Sequence, residues 1–212
     1  MSATSKAQPK RQRLSREEQK AERTQQLLEA ARVMFLEKGY EAVTIDHVAE
    51  HAGYSRMPVY TLFGDKQNLF FELWRSATAQ LTQALVGHFQ PGTSLRKNLK
   101  QLADLVVAGQ AAPGPRYAER LFFVVQTIAL SHPEVAAKHE KLAQKVVQDV
   151  AQAVRGCSLD KGDVLRADAE TIASHLVAHL NGMATVEFQT HGRYAKAKDL
   201  YPIFCAIAFK DG

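Results

Sequence analysis

The sequence predicts an all-α protein of about nine helices, with a small N-terminal helix-turn-helix domain and a larger helical domain after it. Three observations lead there. The long segments are rich in Ala, Leu, Gln and Glu, and β-branched alternation is scarce, so strands have little support. Breakers recur at helix-length intervals: Pro91-Gly92-Thr93-Ser94, Ala112-Pro113-Gly114-Pro115, His132-Pro133, Gly156 to Gly162 and Thr190-His191-Gly192-Arg193. Between Thr44 and Phe70, one short apolar stripe, a glycine turn and a thinly covered segment give the layout of two short helices joined by a tight turn.

The elements follow in order. Residues 1–15 combine Ser, Thr, Gln and Pro9 with Lys6, Lys10, Arg11 and Arg13, and read as a disordered basic arm. Ser15-Arg-Glu-Glu18 has capping-box spacing and should open a long helix. Leu27, Ala31, Met34 and Phe35 form its buried stripe, and Gly39 stands where the chain leaves it. Thr44 is placed to cap a second helix whose apolar side is Ile45, Val48, Ala49 and Ala52. Gly53 is the tight turn, because glycine alone takes positive φ at no steric cost. Ser55 can cap a third helix that carries Arg56, Met57, Tyr60 and Thr61 on a thinly covered face. Gly64-Asp65 closes that helix and caps the next, with Lys66 in its first turn. The domain therefore spans 16–64, with the helix-turn-helix at 44–62. From 65 to 212 a larger helical domain begins with a long helix through Leu69, Phe70, Leu73, Trp74, Ala77, Leu81 and Leu85.

The two C-terminal helices, about 164–190 and 194–210, are apolar on more than one face. Ala169, Ile172, Ala173, Leu176, Leu180, Met183 and Ala184 make one stripe. Thr171, His175, Ala178, His179, Gly182 and Val186 make a second, and Leu200 to Phe209 is apolar nearly all round. A helix covered only by its own domain needs one stripe. The surplus points to a partner surface, with a core inside the chain as the alternative.

Charge and composition narrow the function. There are 27 Lys and Arg against 22 Asp and Glu, a formal net charge of +5. Lys6, Lys10, Arg11, Arg13 and Arg16 precede the first acid, Glu17, and supply that whole excess. Such an arm suits phosphates or a minor groove. No apolar run is long enough to span a bilayer, and the basic N-terminus has no apolar h-region, so a cytoplasmic protein with no membrane partner is expected. Cys157 and Cys205 have no metal-ligand spacing and should be free thiols. His47 and His51, and His175 and His179, are four apart and share helix faces, yet no Cys or carboxylate completes a zinc site. No nucleophile elbow, phosphate-cradling loop or dinucleotide fingerprint occurs, so no enzyme, cofactor or metal is expected.

Phe35, Gly39-Tyr40, Thr44-Ile45, Val48-Ala49, Ala52-Gly53, Ser55, Val59-Tyr60, Phe63, Lys66 and Leu69-Phe70 together resemble the DNA-binding motif of the TetR family of bacterial transcriptional regulators. The resemblance implies a homodimeric repressor, released from a palindromic double-stranded DNA operator by a small-molecule effector. It implies that Thr44, Tyr60 and Lys66 hold phosphates, Thr44 through its hydroxyl and its amide. Ser55, Arg56, Met57 and Thr61 occupy the exposed positions of the reader helix, and Arg56 is the candidate for a bidentate guanine contact or a phosphate contact. Pro58 and Thr61 depart from the family's usual residues, Pro58 replacing a potential donor and offering a surface to a thymine methyl. The resemblance further implies that the last two long helices pair into a four-helix dimer seam. It implies an effector pocket in the middle helices, for which Trp74, Arg120, Phe123, Gln126, His179 and Met183 are candidates. The competing reading is an all-helical small-molecule-binding protein or enzyme whose helix-turn-helix is purely structural.

Overall fold

The computed structural model describes residues 15–108, 121–190 and 196–210 in full, with the helical backbone of 109–111 and 117–120. The basic arm before Ser15, the 112–115 break and His191 to Arg193 lie outside the described residues. Among those described, every regular element is a helix, and the chain divides into two compact units, Met1–Leu69 and Phe70–Gly212.

In the first unit α1 spans Arg16–Lys38, α2 Ile45–His51 and α3 Arg56–Phe63. The Ser15 hydroxyl accepts from the Glu18 amide at 3.2 Å and the Glu18 carboxylate accepts from the Ser15 amide at 2.7 Å, the reciprocal box expected from the sequence. Those bonds hold the Glu18 carboxyl below its ordinary pKa. Leu27, Ala31, Met34 and Phe35 are buried, as their helical spacing requires. Gly39 ends α1 at φ 81°, its amide donating to the Phe35 carbonyl at 3.0 Å. α1 packs on α2 and α2 on α3, with Val48, Ala49, Val59 and Phe63 buried.

α4 spans Lys66–Val86, opening on Asp65, whose carboxylate accepts from the Asn68 amide at 2.7 Å. In the second unit α5 is Leu95–Ala111, α6 Tyr117–Ser131, α7 Pro133–Arg155, α8 Ala169–Thr190 and α9 Ala197–Ala208. Pro133 sits at the first turn of α7, where its missing N–H costs nothing. Asp168 caps α8 by accepting from the Thr171 amide at 2.8 Å, which lowers its pKa. Leu95, Leu99, Ala151, Ile172, Leu176, Leu200 and Phe204 belong to one apolar core.

Two of the sequence-predicted breaks fasten each other. The Gly92 amide donates to Gly156 and the Leu95 amide to Ser158, at 2.8 and 2.9 Å. Fully buried Asn98 ties the junction: its carbonyl accepts from the Gln90 amide, and its amide group reaches the Gln90 carbonyl and the Cys157 sulfur. A buried amide group is tolerated because it is bonded on both ends. Arg96 adds a forked pair to Asp163 at 2.7–3.0 Å and stacks on Phe209, and this pairing raises its pKa.

Candidate nucleic-acid interface

The turn before α3 decides how that helix is presented. Gly53 takes φ 73°, and the Tyr54 amide returns to the Ala49 carbonyl at 2.8 Å. The chain then leaves extended through Ser55, the N-cap of α3. Val59 and Phe63 anchor the rear of the helix, being 0% and 8% exposed. Its front is left to solvent: Ser55, Arg56, Met57, Tyr60 and Thr61 are exposed, Met57 by 63% and Tyr60 by 46%. Pro58 is half-buried in the first turn, where an absent N–H disturbs no helical bond.

Most of the front face is chemically unspent. Arg56 makes no ion pair among the described residues, and the Tyr60 hydroxyl has no partner there. The Ser55 hydroxyl makes no capping bond. Its position is the one expected, but its cap is not, and the oxygen stays available. Only Thr61 is engaged, its hydroxyl donating to the Met57 carbonyl at 2.9 Å on its own helix.

Thr44 and Lys66 are more occupied than the sequence suggests. The Thr44 hydroxyl caps α2, accepting from the His47 amide at 3.2 Å. The Thr44 amide, expected to face a phosphate, donates instead to His47 Nδ1 at 3.3 Å. What Thr44 retains for an anion is its hydroxyl proton. Lys66 Nζ donates to the carbonyls of Tyr40 and Glu41 at 3.1 and 3.4 Å and rides over the Tyr40 ring at 4.4 Å. Two of its three N–H groups thus brace the link between α1 and α2, and one remains. Burial, with Glu41 and Asp65 nearby, pushes the Tyr40 phenol up to about 12, so it stays a neutral donor.

The effector candidates fall into two places in the second unit. Trp74 is buried, donates from Nε1 to His139 Nδ1 at 3.4 Å and tilts against Phe122 at 5.9 Å. Phe122 meets Phe123 edge-on, and Phe123 stacks on Phe188 at 4.7 Å. One aromatic chain therefore joins Trp74 to Phe123 across α4, α6 and α8. His179 and Met183 are half-buried at the other core, His179 edge-on to Phe204 at 6.0 Å with its Nε2 buried and unbonded. Gln126 is exposed, on a different side of α6 from buried Val125. The Arg120 side chain lies outside the described residues. Three groups escaped the sequence reading: His139, Thr78, whose hydroxyl is buried and unbonded, and Glu187, 1% exposed. Glu187 had a signal, since it continues the α8 series Leu176, Leu180, Met183 one turn further. The other two had none.

Among the described residues no three His, Cys, Asp or Glu side chains converge on a metal position, and no helix is long and apolar enough to cross a membrane. His47 is spent on its cap, and His51 borders a shallow groove with Glu22, Gln26 and Glu29.

Comparison with known proteins bears directly on this region. Residues 27–73 match the family model described as bacterial regulatory proteins, tetR family. The chain is 41% identical over 61 residues to the HTH-type transcriptional repressor AcnR of Corynebacterium glutamicum, covering 29% of this chain and 32% of that one. It thus spans about a third of that relative's length. It is 31% identical over 134 residues to the HTH-type transcriptional regulator YhgD of Bacillus subtilis, covering 62% and 60% of the two chains. The fold extends further than the sequence likeness. A crystal structure of a putative TetR-family transcriptional regulator from Mesorhizobium loti superposes with a TM-score of 0.72 over 93% of this chain and 100% of that one, at 20% identity.

Proposed function

This chain belongs to the TetR family of bacterial regulatory proteins, and from that premise we propose that it is a homodimeric, effector-released transcriptional repressor. The supporting observation is the front of α3, where Ser55, Arg56, Met57 and Tyr60 stand exposed and unengaged over a buried Val59 and Phe63. Exposed and unbonded within the protein, these groups can exchange water for phosphate oxygens and base edges. A helix with a guanidinium, hydroxyls and a thioether on its first turns fits the major groove. Arg56 reads a base edge, while the Thr44 hydroxyl, Tyr60 and the remaining Lys66 N–H hold phosphates that set the register.

The exposed face of α8, His175, Ala178, Gly182 and Val186, and that of α9, Pro202, Ile203 and Ala206, supply the seam for a second copy. Two copies place two reader helices on half-sites one helical turn apart, roughly 34–36 Å. A small apolar molecule held by the aromatic chain from Trp74 to Phe188 releases DNA through its preference for a dimer that no longer fits that spacing. No catalytic step is assigned to the protein.

The test is a mobility shift of the chain on DNA from around its own gene, with and without a metabolite extract. A sequence-selective shift that weakens steeply with salt and is reversed by the extract is expected. No retained duplex under low salt would end this reading.

A further inference from the structure

A second cation stands beside the reader helix on α1. Tyr54 is the residue immediately before Ser55, the N-cap of α3. This residue is held at its backbone and at the tip of its ring. Its amide donates to the Ala49 carbonyl at 2.8 Å, and its hydroxyl donates to Gln26 Oε1 on α1. The Gln26 amide is oriented in turn, since its Nε2 donates to Glu22 Oε1 at 3.5 Å. Arg23, one turn before buried Leu27, lays its guanidinium over the Tyr54 ring at 5.8 Å from the centroid. It is exposed and makes no ion pair among the described residues.

A guanidinium held over a ring face by cation–π attraction keeps its N–H edges free for two oxygens in a plane. A fixed aromatic shelf also reduces the rotamer freedom an arginine loses on binding. A reader helix meets base edges with its N-terminal residues, while the helices packed behind it run close to the phosphate backbone. Resting on the proposed DNA-binding function, we propose that Arg23 is a further DNA phosphate contact, and that Tyr54, held by Gln26, is its positioning residue. The consequence is an α1 clamp on the duplex, separate from base reading by Arg56.

The experiment uses the full chain and a duplex that the wild type has selected from a randomised pool. Binding is measured from 50 to 200 mM salt. Arg23→Ala lowers the slope of log affinity against log salt by about 0.9 per protomer, hence about 1.8 for a dimer. The loss of affinity across that salt range then shrinks by about twelvefold. Arg23→Lys, which keeps the charge, restores the slope. Tyr54→Leu weakens binding in the wild type but far less in the Arg23→Ala variant, the non-additivity of a shelf and its cargo. Because Arg23 is exposed, helical content and thermal midpoint stay unchanged and serve as the folding control. An unchanged slope in Arg23→Ala, a loss confined to one base position, or additive effects of the two substitutions would overturn the assignment. A wild type that selects no duplex brings down the DNA-binding reading itself, which separates the two failures.

Discussion

The proposed reader helix α3 and the helix α8 each leave one face uncovered, and the chemistry they leave is opposite. α3 exposes a guanidinium, a phenol, a hydroxyl and a thioether, none of them paired except the Thr61 hydroxyl. α8 exposes His175, Ala178, Gly182 and Val186, which are small or apolar apart from the imidazole. Water satisfies the first face cheaply and the second poorly. The first face suits the proposed duplex, a polar, anionic surface that can replace water bond for bond. The second suits the proposed second copy, whose helix could approach closely over Ala178 and Gly182, and the exposed Ile203 on α9 extends it. The two proposed partners, a duplex and a second copy, follow from this contrast.

The contrast breaks most visibly on α8. Ala178→Arg puts a charge in the middle of the proposed seam without disturbing the buried stripe of Ile172, Ala173 and Leu176. By analytical ultracentrifugation the wild type should sediment as two copies and the variant as one. Losing the linked second half-site lowers operator affinity by about 10²–10⁴-fold. Gln152→Arg, on an exposed position of α7, leaves the mass unchanged. A dimeric Ala178→Arg chain would remove α8 from the seam.

A smaller effect separates the front of α3 from its support. Arg56→Ala should relax preference at one base position, by about 1–3 kcal/mol of discrimination, with folding unaltered. Lys66→Ala should behave differently, because Lys66 also braces the Tyr40 and Glu41 carbonyls. It weakens every sequence alike, lowers the salt slope by about 0.9 per protomer, and costs about 1 kcal/mol of stability in urea. Competition binding against single-base variants of the selected duplex checks both. Uniform weakening by Arg56→Ala would make it a phosphate contact.

What could be read from the sequence divides by distance along the chain. The caps at Ser15 and Asp65 and the turn at Gly53 are written within a few residues, so their signals survive without tertiary knowledge. The Thr44 cap was legible, but its partner was not. His47 stands at box spacing, where Glu or Gln is the usual signal, and imidazole Nδ1 fills the same role. The result is a Thr44 amide already engaged, which position alone did not disclose. In the larger unit the helices were legible from their breakers, whereas the aromatic chain was not. Trp74 and His139 meet across 65 residues, and no periodicity links positions on different helices. Glu187 lies between the two cases, on a stripe the sequence shows but with a residue type that hides it.

The smallest predicted effect uses that long-range contact. Burial lowers the pKa of His139, so the folded chain favours its neutral form, whose Nδ1 accepts from Trp74. A histidine depressed on folding contributes stability above its ordinary pKa of about 6.5 and loses that contribution as pH falls below it. Protonation places hydrogen on Nδ1 and removes the acceptor. The chain has a single tryptophan, so fluorescence reports this site alone. The wild type should lose stability in urea between pH 7 and 5 with a parallel change in Trp74 emission. His139→Gln has an acceptor that does not titrate, and should flatten both curves after a loss of about 1 kcal/mol at neutral pH. Parallel pH dependence in the two proteins would place the titration elsewhere and leave the Trp74–His139 bond as packing alone. On the other outcome, the aromatic chain proposed to meet the effector carries a proton-sensitive joint.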